Sequence, residues 1–343
     1  MRKYGEKMKI LLAYYPYINI NYKGGDYQVL KYLYIYLSSL GYQVEWSSYR
    51  RKFNFSNKIL NKIFGKIETA FLPIFYGHYL NNLKYVDLVI SDSLLSIFSK
   101  HKTINIHHIN YRDYWRKVKK NKIFSIQLYI SIIWQYFAIK KNINVAVSRN
   151  LFRILKKQGA KNLIQINNIV AQYFENYINK FNNERIGYFC ASNTDYFGKG
   201  LDILSKLGEK GYNIDCYTNA NIPYVNCISP VPNEQCPYLY SKYRILIFPS
   251  RYESFGLVPL EALALSIPVI MRETGIGYDL KKIIPEFVVE NGENIDEYIE
   301  RIKIIESKYD EFCNKAKMFY LSFAKRREIL KMWNDLIESL AFK

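Results

Sequence analysis

Glu253 and Glu261 flank a short segment whose backbone could bind an anion. The pattern around Gly256 predicts the start of a helix, so the amides of Gly256, Leu257 and Val258 would lie at a helix N-terminus. First-turn amides lack intrahelical partners and carry a partial positive charge, which suits a phosphate group. Two carboxylates beside such a site would offer hydrogen-bond acceptors to a polyhydroxylated ligand.

The elements around these residues predict a βαβ unit. Apolar runs at 245–248 and 267–270 predict two buried strands, and Pro259 fits the first turn of the helix between them. A plainer interpretation stays open at this point. Glu253 could be a solvated loop charge, and Glu261 could simply complement the helix dipole.

The segment resembles the retaining nucleotide-sugar glycosyltransferases of family 4, whose signature is a Glu-x7-Glu element. The resemblance rests on residues 249–257, 260–262 and 267–270. It implies that Glu253 holds hydroxyls of the donor sugar and that Glu261 accepts hydrogen bonds from the ribose of the nucleotide. It further implies that the backbone from Ser254 and Phe255 through Val258 holds phosphate.

Lys199 precedes Gly200 at a predicted helix start, where the family pattern places a lysine that binds the donor diphosphate. A solvated helix start is the alternative. The family's accompanying arginine is missing, because Ala191 or Ser192 stands at its place. Arg251 and Arg272 are candidate replacements for that positive charge.

In the N-terminal half, Gly24 and Gly25 follow the first predicted strand, Met8 to Tyr15, and precede a helix from Tyr27 to Ser39. The family often carries a Gly-Gly pair there, near the donor phosphates or the acceptor, although a surface turn explains two glycines about as well. His107 and His108 end another predicted strand. A family histidine at this place lies close to the transferred sugar, and the sequence leaves open which of the two corresponds to it.

The resemblance implies an α/β protein of the GT-B fold, in which two Rossmann-like domains face a central cleft. We expect an N-terminal acceptor-binding domain at 1–180, a C-terminal nucleotide-sugar-binding domain at 181–320, and a C-terminal helix at 321–343 that crosses back to the N-terminal domain. The apolar stretch from Ile123 to Ile139 contains two glutamines and is flanked by lysines, so it predicts a buried helix rather than a membrane span.

The chain of 343 residues carries a formal net charge of +19, which favours nucleotides, nucleic acid or anionic lipid as partners. The basic and aromatic segment 49–75 predicts either an interfacial amphipathic helix or an ordinary surface helix. Five cysteines without zinc or disulfide spacing, and the lack of a signal-peptide pattern, predict a cytoplasmic protein. Peripheral association with the inner face of the membrane stays open.

The predicted function is a retaining glycosyltransferase that moves a sugar from a UDP- or GDP-sugar to an acceptor hydroxyl. Glu253, His107 or His108, and Lys199 are its candidate catalytic residues, and neither a metal nor a cofactor beyond the nucleotide sugar is expected. The acceptor could be a lipid, a glycan, a protein or a nucleic acid. The alternatives are a basic nucleic-acid-binding protein without catalysis, a glycosyltransferase acting on nucleic acid and, ranked lowest, a sugar-nucleotide epimerase.

Overall fold

The computed structural model describes residues 8–14, 25–47, 71–92, 94–119, 126–177, 185–189 and 195–341. The chain divides into two compact units. Unit 1 comprises Met1–Asn167 and Arg327–Lys343, and unit 2 comprises Asn168–Arg326. Unit 2 therefore begins thirteen residues before the predicted boundary at position 181.

Unit 1 contains a six-stranded parallel sheet in the order β2-β1-β3-β4-β5-β6. Its strands are β1 (Lys9–Ala13), β2 (Gln43–Trp46), β3 (Leu88–Asp92), β4 (Thr103–His107), β5 (Ile143–Ala146) and β6 (Leu163–Gln165). Its helices are α1 (Gly25–Ser39), α2 (71–81), α3 (Tyr111–Tyr114) with a π-helical turn (Trp115–Lys119), α4 (Ile126–Lys141), α5 (Arg149–Lys157) and most of α13 (Arg326–Ala341).

Unit 2 contains a second six-stranded parallel sheet, in the order β12-β11-β10-β7-β8-β9. Its strands are β7 (Ile186–Phe189), β8 (Ile214–Tyr217), β9 (Asn226–Ile228), β10 (Ile245–Phe248), β11 (Val269–Arg272) and β12 (Val288–Val289). Its helices are α6 (Gln172–Glu175), α7 (Leu201–Glu209), α8 (Cys236–Tyr240), α9 (Leu257–Ala264), α10 (Gly277–Ile283), α11 (Ile295–Ser307) and α12 (Tyr309–Phe323). Two 3-10 turns lie at Asn233–Gln235 and Pro285–Phe287.

The central strands are continuous apolar runs because helices cover both faces of a parallel sheet. All four residues of β7, β8 and β10 are buried. In unit 1, Leu72, Tyr76 and Leu80 of α2 pack against Leu11 and Val89 of the sheet. The prediction of an α/β protein with parallel sheets is confirmed.

Two local predictions differ from the structure. Helix α1 begins at Gly25, so Gly25 belongs to the helix rather than to the preceding turn. Helix α4 is not buried, because Tyr129, Tyr136 and Phe137 are each more than half exposed. Hydrophobicity alone could not separate a buried helix from one that keeps its aromatic side chains at the surface. Across the described part of the chain, none of the helices is both long and apolar enough to cross a membrane.

Candidate functional site

The sheet of unit 2 has a topological switch point between β7 and β10. If the six strands of this unit are numbered 1 to 6 along the chain, so that β7 is strand 1, their order in the sheet starting from β9 is 3-2-1-4-5-6. This is the strand order of a dinucleotide-binding sheet. The connection after β7 leads to β8 on one side, and the connection after β10 leads to β11 on the other side. Because the two connections run in opposite directions, a crevice opens at the carboxyl ends of β7 and β10. Lys199 follows β7 and Glu253 follows β10, so both residues lie in loops at this crevice.

Lys199 and Glu253 form an ion pair across the switch point. The distance from Lys199 Nζ to Glu253 Oε1 is 2.7 Å, and both side chains are partly exposed. Gly200 makes this approach possible. Its φ is +70°, and a Cβ there would lie 2.2 Å from the carbonyl oxygen of Pro249. The loop carrying Lys199 can therefore rest directly on the loop that leads to Glu253.

Helix α9 presents its N-terminus in the same loop region. Gly256 precedes it with a φ of +93° and offers no capping side chain. The amides of Leu257 and Val258 lie in the first helical turn, where helix geometry supplies no partner, and Pro259 has no N–H. The predicted anion-binding backbone therefore has the required helical geometry.

The residues before Gly256 have structural contacts of their own. Ser254 Oγ donates to Tyr252 Oη at 3.1 Å. The ring of Phe255 is buried, and its carbonyl accepts a hydrogen bond from the amide of Ile276 at 2.7 Å. Gly275 fits closely here, because a Cβ would lie 2.2 Å from the carbonyl oxygen of Phe255. The loop after β11 thus supports the turn before α9.

Glu261 belongs to α9 and is buried, with 6% of its surface exposed. Its Oε2 accepts a hydrogen bond from Tyr240 Oη at 3.0 Å. Burial raises the pKa of Glu261 to about 7, against the opposing effect of the Tyr240 hydrogen bond. The sequence interpretation of Glu261 as a mere complement to the helix dipole does not describe this environment, and sequence reasoning missed Tyr240, which lies 21 positions away.

Arg251 joins the loops at this end of the sheet. Its guanidinium binds both carboxylate oxygens of Asp202 and both of Glu293, with N–O distances of 2.6 to 2.8 Å. It also donates to the carbonyl of Phe197 at 2.5 Å and stacks on that ring. These bonds use all five N–H donors of an arginine.

Asp202 and Glu293 compensate the positive charge of Arg251, so Arg251 is not available as a diphosphate ligand. Its side chain is 4% exposed and faces two carboxylates. Arg272 donates to Glu293 Oε1 at 2.8 Å and is also largely buried. Burial works to raise the pKa of Glu293, but hydrogen bonds from Arg251 and Arg272 outweigh it and lower the pKa to about 2. The contacts of Arg251 therefore argue against it as the replacement for the missing arginine, whereas the suggestion of Arg272 stays a prediction.

In unit 1, the structure distinguishes the two histidines. His107 is fully buried, and its Nε2 lies 2.8 Å from Asn144 Oδ1. Three backbone carbonyls lie within hydrogen-bond distance of the side-chain amide nitrogen of Asn144, which fixes the orientation of the amide. Because Asn144 Oδ1 can only accept, His107 Nε2 must be the donor. Burial lowers the pKa of His107 to about 4. His107 is enclosed at the end of β4, and its buried Nδ1 has no hydrogen-bond partner among the described residues, so its place beside the sugar stays a prediction.

His108 follows β4, the neighbour of β3, and the switch point of the first sheet lies between β1 and β3. Its Nε2 is 4.0 Å from Asp92 Oδ1 at the end of β3. Burial lowers the pKa of His108, and the negative charge of Asp26 in the first turn of α1 opposes this effect. Sequence reasoning missed both aspartates, although Asp92 ends β3 at the edge of the sheet where ligands usually bind.

Some predicted positions lie outside the described residues. These are Gly24, Ala191, Ser192 and most of the segment 49–75. Within the described ranges, no group of three or more His, Cys, Asp or Glu side chains could hold a metal ion.

Comparisons with known proteins connect this geometry to a family. The family Glycosyl transferases group 1 matches residues 217–319, which include β10, α9 and β11. The chain is 36% identical over 75 residues to O-antigen chain mannosyltransferase B of Escherichia coli, covering 22% of this chain and 18% of that protein. An uncharacterized 41.2 kDa protein in the cps region of Klebsiella pneumoniae is 29% identical over 97 residues, covering 28% of this chain. These matches span only 18% and 26% of the two relatives' lengths.

Solved structures share the fold over nearly the whole chain. Sucrose-phosphate synthase from Thermosynechococcus elongatus superposes with a TM-score of 0.76 at 15% identity, covering 97% of this chain and 99% of that one. WaaG, a glycosyltransferase involved in lipopolysaccharide biosynthesis, superposes with a TM-score of 0.67 at 10% identity and the same coverage. The GT-B fold is therefore confirmed. Within that fold, residues 217–319 resemble a domain of the family Glycosyl transferases group 1.

Proposed function

We propose that the protein transfers a hexosyl group from a nucleoside-diphosphate sugar to an acceptor hydroxyl, with retention at the anomeric carbon. The observation that carries the proposal is the Lys199–Glu253 pair at the switch point of the second sheet. A cation and a carboxylate 2.7 Å apart fit a ligand whose anionic group and hydroxyls are close neighbours. A sugar diphosphate has this arrangement, and the bond that breaks lies between the two parts.

The ion pair can open when the donor binds. Both side chains are partly exposed, and pairs of this kind contribute about 0–1 kcal/mol. Lys199 would then bind the diphosphate, and Glu253 would accept hydrogen bonds from the sugar hydroxyls. The first-turn amides of Leu257 and Val258 would bind phosphate oxygens next to Lys199.

In the proposed reaction, the acceptor oxygen forms a bond to the anomeric carbon as the bond from that carbon to the diphosphate oxygen breaks. The departing nucleoside diphosphate keeps the electron pair and takes up the acceptor proton. Lys199 and the α9 amides stabilise the negative charge that develops on it, which is usually the largest contribution to catalysis. The protein's own residues therefore act by positioning and electrostatics, without a covalent intermediate or a further cofactor.

The names of related proteins guide the choice of substrates. The Escherichia coli relative is named as a mannosyltransferase of the O-antigen chain, and WaaG is described as acting in lipopolysaccharide biosynthesis. These names favour a hexose donor and a glycan acceptor. We therefore place mannose first among the UDP- and GDP-hexoses to be tested.

Thermal unfolding with nucleotides and nucleotide sugars tests the proposal, because a ligand that binds only the folded state raises its stability. The wild type should be stabilised by a nucleoside diphosphate, and more by the matching nucleotide sugar. Lys199→Ala should reduce both effects, whereas Glu253→Ala should remove only the increment due to the sugar. Lys206→Ala, which changes an exposed lysine on α7, is the matched control and should behave like the wild type.

Two results would overturn the assignment. One is a wild-type protein that no UDP- or GDP-hexose stabilises. The other is a Lys199→Ala variant whose stabilisation equals that of the Lys206→Ala control.

A further inference from the structure

Two cysteines stand opposite each other on neighbouring strands of the second sheet. Strands β8 and β9 are parallel, and Cys216 is paired with Cys227 in their register. Neighbouring strands lie about 4.8 Å apart, and the α-carbons joined by a disulfide are usually about 4.4–6.8 Å apart. The backbone therefore already holds these two cysteines within the range of a disulfide.

The contacts of the preceding residues show that paired side chains of these two strands meet. Asp215 and Asn226 are the pair before the cysteines in the register, and Asn226 Nδ2 donates to Asp215 Oδ1 at 2.8 Å. Successive side chains of a strand point to opposite faces of the sheet. Cys216 follows Asp215 and Cys227 follows Asn226, so both thiols lie together on the other face.

Tyr196 gives a second indication that the two thiols share a face. Burial raises the pKa of Tyr196, and the charge of Asp202 acts in the same direction. Smaller contributions of the same sign come from Cys227 and Cys216. The Tyr196 hydroxyl therefore lies within electrostatic range of both thiols. Because Tyr196 stands three positions before Lys199, the cysteine pair lies near the loop of the candidate site.

The two cysteines differ in their access to solvent. Cys227 is half-buried on β9, the last strand at this edge of the sheet. Cys216 is fully buried on β8, one strand further in. A small oxidant from solvent would therefore meet Cys227 first, and Cys216 would be positioned to react with the oxidised sulfur. An exposed cysteine beside a second, resolving cysteine is typical of reversible oxidation sites.

Two other cysteines of unit 2 have surroundings that disfavour oxidation. The thiolate is the form that reacts with an oxidant. Burial raises the pKa of Cys236 to about 12, and burial also raises the pKa of Cys313 on α12. Both side chains therefore stay protonated thiols at neutral pH. The remaining cysteine of the sequence, Cys190, lies outside the described residues.

We propose that Cys216 and Cys227 form a reversible oxidation site, at which a hydroperoxide produces a disulfide between β8 and β9. The thiolate of Cys227 attacks a peroxide oxygen, and the O–O bond breaks to give a sulfenic acid and a hydroxide, which becomes water with the proton from the thiol. The sulfur of Cys216 then attacks the sulfenic sulfur, and a second water leaves as the S–S bond forms. Two thiols are oxidised to one disulfide, and one molecule of hydrogen peroxide is reduced to two of water.

This site is independent of the proposed sugar transfer, because its formation is measured by mass without donor or acceptor. The sequence makes the measurement direct. No Lys or Arg lies between Lys210 and Lys242, and Glu234 is the only Glu in that interval. Trypsin together with a Glu-specific protease therefore yields the peptide 211–234, which contains Cys216 and Cys227 without Cys236.

The full chain is treated with hydrogen peroxide, its remaining thiols are alkylated after denaturation, and the peptide 211–234 is weighed. It should carry no alkyl group and should be lighter than the reduced, unalkylated peptide by two hydrogen atoms. Treatment with dithiothreitol before alkylation should restore two alkylated cysteines, because a thiol reduces a disulfide but not a sulfinic acid.

Two variants separate this pair from a general effect of peroxide on cysteines. Cys227→Ser should lose the cross-link and leave Cys216 free for alkylation. Cys313→Ser removes a half-buried cysteine from α12 and should form the cross-link like the wild type. Thermal unfolding in the reduced state establishes that both variants are folded. If Cys227→Ser does not fold, the mass of the wild-type peptide still decides the question.

Three outcomes would overturn the proposal. Peroxide could leave both thiols of the peptide 211–234 open to alkylation. It could convert Cys227 to a sulfinic acid without a cross-link, which would identify the two cysteines as small apolar side chains of the sheet. The cross-link could also join either cysteine to Cys236 or to the tryptic peptide 186–199, which contains Cys190.

Discussion

The buried carboxylate of Glu261 should make the stability of unit 2 depend on pH. Its pKa is raised from an ordinary value of 4.5 to about 7, mainly by burial of its carboxyl group. The folded state therefore holds the proton more tightly than the unfolded state. For a group whose pKa is raised by folding, the associated stability is fully present below pH 4.5 and is lost as the pH rises through about 7.

The size of this effect follows from the two pKa values. Each pKa unit corresponds to about 1.4 kcal/mol, so the full loss amounts to roughly 3 kcal/mol. Glu261→Gln keeps an oxygen that can accept the Tyr240 hydrogen bond, and it cannot ionise. We therefore expect the stability of the variant relative to the wild type to increase by roughly 2–3 kcal/mol between pH 5 and pH 8.

Urea unfolding of both proteins at the two pH values, without ligand, measures this difference. Glu300→Gln is the control, since it neutralises an exposed carboxylate of α11 in the same unit. Its stability relative to the wild type should change little with pH. If the difference between Glu261→Gln and the wild type were the same at pH 5 and pH 8, the argument from burial would be refuted.

Three further predictions concern the loops of the candidate site. Glu253→Ala should lower kcat at saturating donor by roughly two to three powers of ten, as losing one positioned polar contact can, and wild-type turnover would contradict its assigned role. Gly200→Ala should lower the free energy of unfolding by about 2 kcal/mol more than Gly211→Ala. Both glycines have a positive φ, but a Cβ at Gly200 would clash with Pro249, whereas Gly211 has open space around it; equal losses in urea unfolding would show that the contact does not matter. Arg251→Lys should lower the free energy of unfolding by about 2 kcal/mol, because lysine cannot bind two carboxylates bidentately and those carboxylates stay partly hydrated. Calorimetry of both proteins tests this prediction, and an unchanged Tm would count against it.

Ion pairs between charged side chains hold the loops of the candidate site in their arrangement. Arg251 binds Asp202 and Glu293, and this cluster connects the loop after β10 with the start of α7 and the segment after β12. Lys199 and Glu253 remain paired with each other at a more exposed position. The pairs of Arg251 therefore connect the loops, while the Lys199–Glu253 pair is the one that the proposed donor would open.

Local sequence patterns were sufficient for the fold, and they also predicted where the candidate site lies. The apolar runs of β10 and β11, with Gly256 and Pro259 between them, encode a strand, a turn and a helix through near-neighbour contacts alone. The same local information placed Glu253 after a strand and Lys199 before a helix. Parallel strands then bring such positions to one edge of a sheet.

The electrostatic role of each side chain was decided only by the tertiary structure. Arg251 meets Glu293, 42 positions away, and this contact converts a candidate phosphate ligand into a structural residue. His107 and His108 are adjacent in sequence, yet one bonds to Asn144 inside the sheet and the other lies near Asp92. Helix α4 looked buried by composition, but its aromatic side chains remain at the surface. Burial and charge pairing depend on contacts between residues that are distant in the chain. A single sequence does not specify which of these residues come close together in space.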